Sequence, residues 1–404
     1  MRILEINGVC GIRSTGRICI DIAEHFMSKG DEVKIAFGRA NVPEKYKNIA
    51  VRISNKNQIC INALKSRIFD NEGFNAKNAT RKFLKWADEY NPDLLWLHNI
   101  HGYYINVEML FEWIKSRPDM QVRWTLHDCW SFTGHCPHFE VARCDKWKNH
   151  CMNCSQRDRY PSSFFADNSE KNYDRKKSAF TGVNNMTIIA PSQWLADLVK
   201  QSFLKEYHVE VVYNTINKSV FKPTKSLFKE QYGIENKKLV LGVASSFNKM
   251  KGIEDFYKIA GVLNENYAVA LVGLTKKQIR SMPNYIKSIN GGEKKYICTY
   301  DSSKNDILQG NINGYKFQCE GYMDIIAIPR TNDQHELAAL YTAADIFVNP
   351  TYEDTYPTVN LEAEACGTRV AAYNVGGVPE TLSREDSVVV DVGNYEKLVE
   401  EIMK

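Results

Sequence analysis

Asn349 to Pro379 reads NPTYEDTYPTVNLEAEACGTRVAAYNVGGVP, and its pattern sets the fold of the second half of the chain. An apolar run from Asp345 ends at Asn349 and reads as a strand, and a polar loop then carries Glu353 and Asp354. Pro357 stands where a helix can begin, because the N–H it lacks has no intrahelical acceptor there. Leu361 to Cys366 reads as a helix closed by Gly367, and Val370 to Tyr373 as the next strand. Strand, loop, helix and strand in that order build a parallel sheet. First-turn amides lie at the positive end of the helix dipole, so they form a phosphate site, and flanking carboxylates can accept hydrogen bonds from sugar hydroxyls. Asp354 and Glu362 are eight positions apart, one ahead of the helix and the other on it.

Upstream, the same rhythm recurs. Leu239 to Ala244 reads as a strand, Ile253 to Leu263 as a helix, Ala268 to Gly273 as a strand and Ala338 to Ala344 as a helix. Between about Pro283 and Asp324 the rhythm breaks at Gly291-Gly292 and many polar residues, which predicts an insertion over 283–324, either a β-hairpin excursion or a lid. The first half alternates in the same way. Ile3 to Val9 is followed by a helical pattern at Ile18, Ile20, Ile22, Ala23 and Phe26, then by strands at Val33 to Phe37, Leu94 to His98, Val122 to His127 and Met186 to Pro191. A turn-rich stretch, YNTINKSVFKP, ends at Pro223 and separates the halves. The expectation is an α/β chain with two doubly wound, Rossmann-like domains, 1–223 and 224–404, facing a central cleft where a ligand lies.

Composition supports an ordinary folded chain. Its 404 residues suit two domains, and 44% hydrophobic with 25% charged residues excludes disordered and collagen-like classes. Fifty-two Lys and Arg against 48 Asp and Glu give +4, too small a bias to imply nucleic acid. The opening MRILEINGVCGIRSTGRICI does not read as a signal peptide and no run approaches a bilayer span, so a cytoplasmic protein is expected. Eleven cysteines, an odd number, are then expected to be mostly reduced thiols.

The Asn349 to Pro379 segment resembles the E-x7-E signature of retaining glycosyltransferases of the GT-B fold, glycosyltransferase family 4, with LEAEACGT where LEAMACGT is common. The resemblance implies that Glu362 binds the donor ribose and that the first acid lies beside the transferred sugar. It further implies that Tyr356, Pro357, Thr358, Val359 and Asn360 cradle the diphosphate. Alignment on Glu362 puts Asp354 at the first acidic position, with Glu353 adjacent as the alternative. In Gly242 to Gly252, GVASSFNKMKG, Lys251-Gly252 is similar to the family's Lys-Gly pair, whose lysine neutralises the diphosphate, and Lys249 can assist. The family often has an Arg five residues earlier, where this chain has Ser246, and Arg330 in IPRTND, near the expected nucleobase position, is a candidate replacement.

In the first half, Arg13 to Arg17 follows the first strand and opens a helix where such enzymes place a cleft loop, so Arg13 and Gly16 are expected donor contacts. His127, in His127-Asp128 at a strand end, is similar to the family's HD-type histidine that contacts the donor sugar; His98 and His101 are weaker candidates. No D-x-D triplet occurs, so the expected reaction needs no metal, with Lys251 and helix amides carrying leaving-group charge. The Cys-rich segment 129–154 holds Cys136, Cys144, Cys151 and Cys154, a candidate structural zinc set with free thiols as the alternative. Together with TLHDCWSFTGHC, that segment resembles a subgroup of the family associated with colanic-acid or capsule-type polysaccharide assembly.

The resemblance implies a hexosyltransferase moving sugar from a UDP- or GDP-sugar to a growing capsule, exopolysaccharide or lipopolysaccharide-type glycan, commonly lipid-linked. Peripheral contact with the inner face of the membrane then falls to Arg81 to Trp86 (RKFLKW), with a solvated helix face as the alternative. Family members continue past their last helix to cross back to the first domain, whereas this chain stops at Lys404, so either the sequence is truncated or that brace is short. Two other readings compete: a GT-B sugar-nucleotide epimerase or hydrolase, and a zinc-dependent binding or scaffold protein.

Overall fold

The computed structural model describes residues 1–290, 295–301, 312–331 and 333–404. It divides into two compact units, Met1–Asn214 and Thr215–Lys404. The boundary precedes the expected one at 223/224 because Ile216 and Phe221, in the turn-rich stretch, pack into the core of the second unit.

In the first unit the order is β1 (Arg2–Asn7), α1 (Arg13–Ser28), β2 (Glu32–Phe37), β3 (Ala50–Arg52), α2 (Lys56–Phe69), α3 (Lys77–Tyr90) and β4 (Leu94–Leu97). It continues with α4 (Val107–Lys115), β5 (Gln121–Thr125), α5 (Ser169–Phe180), β6 (Met186–Ala190), α6 (Gln193–Gln201) and β7 (His208–Val211). All seven strands are parallel, in the order β3-β2-β1-β4-β5-β6-β7. Successive side chains of a strand point to opposite faces, and here both faces are buried. Leu4, Ile6, Leu95, Leu97 and Trp124 join one apolar cluster, while Ile3, Ile35, Leu94 and Trp96 join another. That is why these strands read as unbroken apolar runs.

The second unit contains α7 (Phe228–Tyr232), β8 (Lys238–Val243), α8 (Ile253–Ala260), β9 (Tyr267–Leu274), α9 (Lys276–Ile289), β10 (Ile297–Asp301) and β11 (Tyr315–Gln318). Then come β12 (Asp324–Pro329), α10 (Gln334–Ala343), β13 (Ile346–Asn349), α11 (Thr358–Ala365), β14 (Val370–Tyr373), β15 (Val388–Val390) and α12 (Tyr395–Met403). Its sheet runs β10-β11-β12-β9-β8-β13-β14-β15, with β11 antiparallel to both neighbours and the other pairings parallel. The expected insertion over 283–324 is thus smaller. Pro283 lies inside α9, Asp324 opens a core strand, and β10 and β11 widen the sheet edge as an antiparallel pair. Residues 291–294 and 302–311 of that stretch lie outside the described residues.

Both sheets reverse their order of addition, between β1 and β4 in the first and between β8 and β13 in the second. In open α/β sheets ligands bind outside the strand carboxyl ends at such a switch point. Two pairs of loops are singled out in this way, each within its own unit.

Candidate functional site

In the second unit the loops after β8 and β13 are drawn together by their own sequence. Asn248 accepts the Lys251 N–H on its side chain at 3.0 Å and so winds Lys249 to Lys251 into a short turn. Gly252 follows with φ +69°, and a Cβ there would stand 2.2 Å from the Pro350 carbonyl oxygen. Only glycine lets this loop lie against the other. Tyr352 then donates its N–H to the Met250 carbonyl at 2.8 Å, and Thr351 Oγ1 donates to the same carbonyl at 3.2 Å.

This contact delivers Lys251 to the acidic loop. Its Nζ lies 2.6 Å from Asp354 Oδ2 and 3.3 Å from both Thr351 Oγ1 and the Glu353 carbonyl. Asp354 Oδ1 accepts the Tyr356 N–H at 3.2 Å, and the Asp354 carbonyl accepts that of Gly377 at 3.2 Å. A Cβ on Gly376, whose φ is +55°, would meet that carbonyl oxygen at 2.0 Å. Asp354 is therefore fixed at side chain and backbone, with its charge shared between one ammonium and one amide.

Helix α11 starts at Thr358, ahead of the expected Leu361, with Pro357 as N-cap (φ −72°, ψ 109°) and no side-chain cap. The accounting of its entrance narrows the expected cradle. Tyr356 gives its N–H to Asp354, Pro357 has none, and Asn360 gives its own to the Pro357 carbonyl at 3.2 Å. The N–H groups of Thr358 and Val359 have no protein acceptor among the described residues. The Asn360 side chain is fully buried; it accepts from Asn349 Nδ2 and donates to Thr381 Oγ1, each at 2.8 Å, and so fastens α11 to the end of β13. Glu362, one turn on, is buried and accepts the Tyr341 hydroxyl on Oε2 at 2.9 Å. Burial, with the adjacent carboxylate, pushes the Tyr341 hydroxyl well above its ordinary range, so it remains a donor to Glu362.

Other expected residues are placed less centrally. Lys249 is 73% exposed and 3.9 Å from Glu254 Oε2. The side chain of Glu353 is buried, and its carbonyl faces Lys251 and Thr351. Arg330 is exposed at the carboxyl end of β12. Tyr341, Asn248, Thr351 and Gly376 fall outside the sequence reading; of these, Asn248 carries a signal, an N-cap residue three positions before Lys251.

At the switch point of the first unit, His98 follows β4 directly and His127 lies two residues beyond β5. Nδ1 of His98 lies 3.1 Å from Nε2 of His127, and its Nε2 lies 3.2 Å from Glu5 Oε2 on β1. Burial drives His98 well below its ordinary value and His127 to about 4, so both rings are neutral at pH 7. Burial likewise pushes the Glu5 carboxyl well above its ordinary range, with a hydrogen bond from Cys19 acting the other way. Beside them His101 Nε2 lies 2.9 Å from Asp128 Oδ2. Burial alone would raise Asp128, but the charge and hydrogen bond of His101 hold it down at about 2. The signal for this network was Glu5, one acid inside an apolar strand. Arg13 is exposed at the start of α1, and Gly16 is buried in its first turn, where a Cβ would lie 3.1 Å from Val9 Cγ2. Gly16 thus serves the packing of α1 on its own loop.

The cysteine segment is tied down by residues between its thiols. His135 Nδ1 lies 2.6 Å from Asp70 Oδ1, and buried Lys176 donates to the carbonyls of Trp130 and Thr133 at 2.7 and 3.0 Å. Cys151 Sγ accepts the Gly134 N–H at 3.2 Å, and the thiols of Cys136 and Cys154 hydrogen-bond to each other. Among the described residues, the metal-ligating atoms gathered within 4.8 Å of one another are those of Glu5, Cys19 and His98. The sulfurs of Cys136, Cys144, Cys151 and Cys154 are not gathered within that distance of one another.

RKFLKW also turns inward. Phe83 and Leu84 are buried, and Trp86 stacks between Phe83 and Tyr90 with ring centroids 5.9 and 5.4 Å away. Its basic side chains Arg81, Lys82 and Lys85 are exposed, and Trp86 is half-buried.

Two Rossmann-like sheets, with a Lys–Asp pair at the second switch point and a helix entrance lacking a side-chain cap, define the class: a GT-B protein. Residues 318–404, within the second unit, match the family Glycosyl transferases group 1. A putative colanic acid biosynthesis glycosyl transferase, WcaC of Escherichia coli K12, is 30% identical over 112 residues, 26% of this chain and 27% of that protein. The match therefore spans about a quarter of that curated relative. Sucrose-phosphate synthase from Thermosynechococcus elongatus superposes with a TM-score of 0.65 at 16% identity, over 100% of this chain and 88% of the other. Anabaena Alr3699/HepE, solved in complex with UDP, gives 0.63 at 14% identity, over 100% and 89%. At these identities the likeness is one of fold.

Proposed function

We propose that the chain is a retaining glycosyltransferase that moves a hexose from a nucleotide-sugar donor to a growing surface glycan, lipid-linked and presented at a membrane. The observation that carries this reading is the Lys251–Asp354 pair at 2.6 Å, set beside the amides of Thr358 and Val359, with Glu362 on the same helix. A diphosphate is a dense acceptor of exactly placed N–H groups and positive charge. It would compete for Lys251 with Thr351 and the Glu353 carbonyl, the two longer contacts at 3.3 Å. Charge building on the departing diphosphate is then met by Lys251 and by preorganised amides, which need not reorient during the reaction. Glu362, held in place by Tyr341, accepts the ribose hydroxyls; Asp354 lies toward the sugar; His127, neutral, hydrogen-bonds a hydroxyl of the transferred sugar. A UDP donor is favoured by the UDP complex of the HepE neighbour, and a polysaccharide acceptor by the partial match to the colanic acid relative.

The test is product analysis with UDP- and GDP-linked hexoses, chosen by thermal shift because a bound donor stabilises the native state as the logarithm of its saturation. A glycosylated lipid-linked acceptor with the donor's anomeric configuration is the expected result. Free or isomerised sugar nucleotide without acceptor would establish an epimerase or hydrolase instead.

A further inference from the structure

Helix α2 is inverted relative to an ordinary surface helix. Its inner face buries Asn62 and Ser66, with Asn62 Nδ2 donating to the Tyr103 carbonyl at 2.9 Å. Its outer face exposes Ile61 (55%), Leu64 (55%) and Ile68 (37%), and Phe69 (55%) ends it. With about 100° of turn per residue, Leu64, Ile68 and Ile61 share one narrow stripe, and Ser66 lies on the opposite side. Lys65 flanks the stripe on one side and Arg67 on the other, and the helix, KNQICINALKSRIF, contains no acidic residue. An adjacent loop enlarges the apolar surface. Phe164 donates its N–H to the Arg67 carbonyl at 2.7 Å, and Asn168 Nδ2 donates to the Phe69 carbonyl at 2.6 Å, which seats Phe164 and the 81% exposed Phe165 beside the last turn.

A soluble surface scatters its exposed apolar residues singly; a contiguous group of this size marks an interaction site. We infer that α2 and Phe164-Phe165 form a docking surface for an anionic lipid bilayer, with the apolar stripe entering the acyl boundary and Lys56, Lys65 and Arg67 meeting headgroups. Charge decides for lipid: α2 has an apolar centre, basic flanks and no carboxylate of its own, the exposed acids nearby being Asp167 and Glu170 beyond Phe165, and this is the pattern of a helix lying in the plane of a membrane interface. The bond from Asn62 to Tyr103 places the surface next to the loop after β4, which carries His98 and His101, so docking brings the carboxyl edge of this sheet close to the bilayer. The inference extends the lipid-linked acceptor proposed above and does not depend on the donor chemistry.

Co-sedimentation of the full chain with phosphatidylcholine vesicles containing phosphatidylglycerol, against pure phosphatidylcholine, tests it. The expected result is binding to the anionic vesicles that weakens with added salt and falls at least about tenfold in Leu64→Ser/Ile68→Ser/Phe165→Ser, since each exposed apolar side chain contributes to insertion. Lys65→Glu/Arg67→Glu should remove the anionic preference. Both variants change exposed positions, and circular dichroism with nucleotide-binding calorimetry on the same samples reports whether fold and donor site survive. Wild-type chain that stays in the supernatant with anionic vesicles, or sediments equally in the triple variant with its fold intact, overturns the inference. So does a wild-type dimer that the triple variant converts to monomer without any vesicle binding, because a second copy would then be the occupant.

Discussion

Replacing Glu362 separates a binding role from a structural one. Its Oε2 accepts the Tyr341 hydroxyl at 2.9 Å, so Glu362→Ala removes a ligand contact and also leaves a buried hydroxyl without its acceptor. The second loss costs about 1–3 kcal/mol of stability. A charge-assisted bond to ribose is worth about 1.5–3 kcal/mol, which is roughly a 10- to 150-fold weakening of nucleotide binding. Glu362→Gln keeps a carbonyl oxygen for Tyr341 and loses only the charge, so it should retain most of the stability and give an intermediate affinity. Tyr341→Phe leaves the carboxylate and should weaken binding least. Calorimetry with the nucleoside diphosphate of the best donor, paired with urea midpoints, reads both quantities. Glu362→Ala that folds and binds nucleotide within about twofold of wild type would refute the ribose assignment.

Lys251→Met should weaken diphosphate binding by roughly 10- to 100-fold, the worth of one charged hydrogen bond, with a smaller effect on the corresponding nucleoside, which carries no phosphate; equal losses for both would contradict its role. Gly252→Ala should lower thermal stability, because a left-handed backbone and the Pro350 carbonyl at 2.2 Å both oppose a Cβ; an unchanged melting temperature would refute the loop contact. The Glu5–His98–His127 network makes stability depend on pH in two opposite senses, with the histidine contribution complete above about pH 6.5. Below it, the unfolded chain binds protons on two histidines that stay neutral in the fold, down to about 4 for His127, while the fold keeps one proton on Glu5. The unfolded state therefore binds a net one proton more, and stability rises with pH by at most about 1.4 kcal/mol per unit. Above about 6.5 the histidine terms vanish, and the raised Glu5 carboxyl acts in the opposite sense, lowering stability as pH rises from its ordinary range toward its folded one. Urea midpoints of wild type relative to Glu5→Gln should decline between pH 5 and 8, and a constant difference would show Glu5 ionised in the fold.

Much of the architecture was readable because doubly wound sheets bury both faces of their strands, so β4 (LLWL) and β9 (YAVALVGL) appear as plain apolar runs. The β10–β11 pair was legible only as one of two alternatives, a β-hairpin excursion or a lid, since an edge ribbon with one exposed face carries polar residues. Helix α2 was missed for the opposite reason: its buried face is polar and its apolar face is turned outward, so periodicity alone gives no core side. At the site, Asp354 and Glu362 were legible through their spacing around a helix start, and Lys251 through the resemblance of Lys251-Gly252 to the family's Lys-Gly pair. The partners that fix them were not, because Tyr341 reaches Glu362 from another helix and Gly376 reaches Asp354 from another loop. Counting amides was likewise beyond sequence, and it leaves the N–H groups of Thr358 and Val359 without a protein acceptor among the described residues.

A crystal structure of the chain with UDP, or with GDP if that gives the larger thermal shift, tests the donor site most directly. The account predicts ribose hydroxyls on Glu362 and diphosphate oxygens on Lys251 Nζ and the N–H groups of Thr358 and Val359. Nucleotide bound elsewhere, or bound without contact to Glu362 and Lys251, would contradict it.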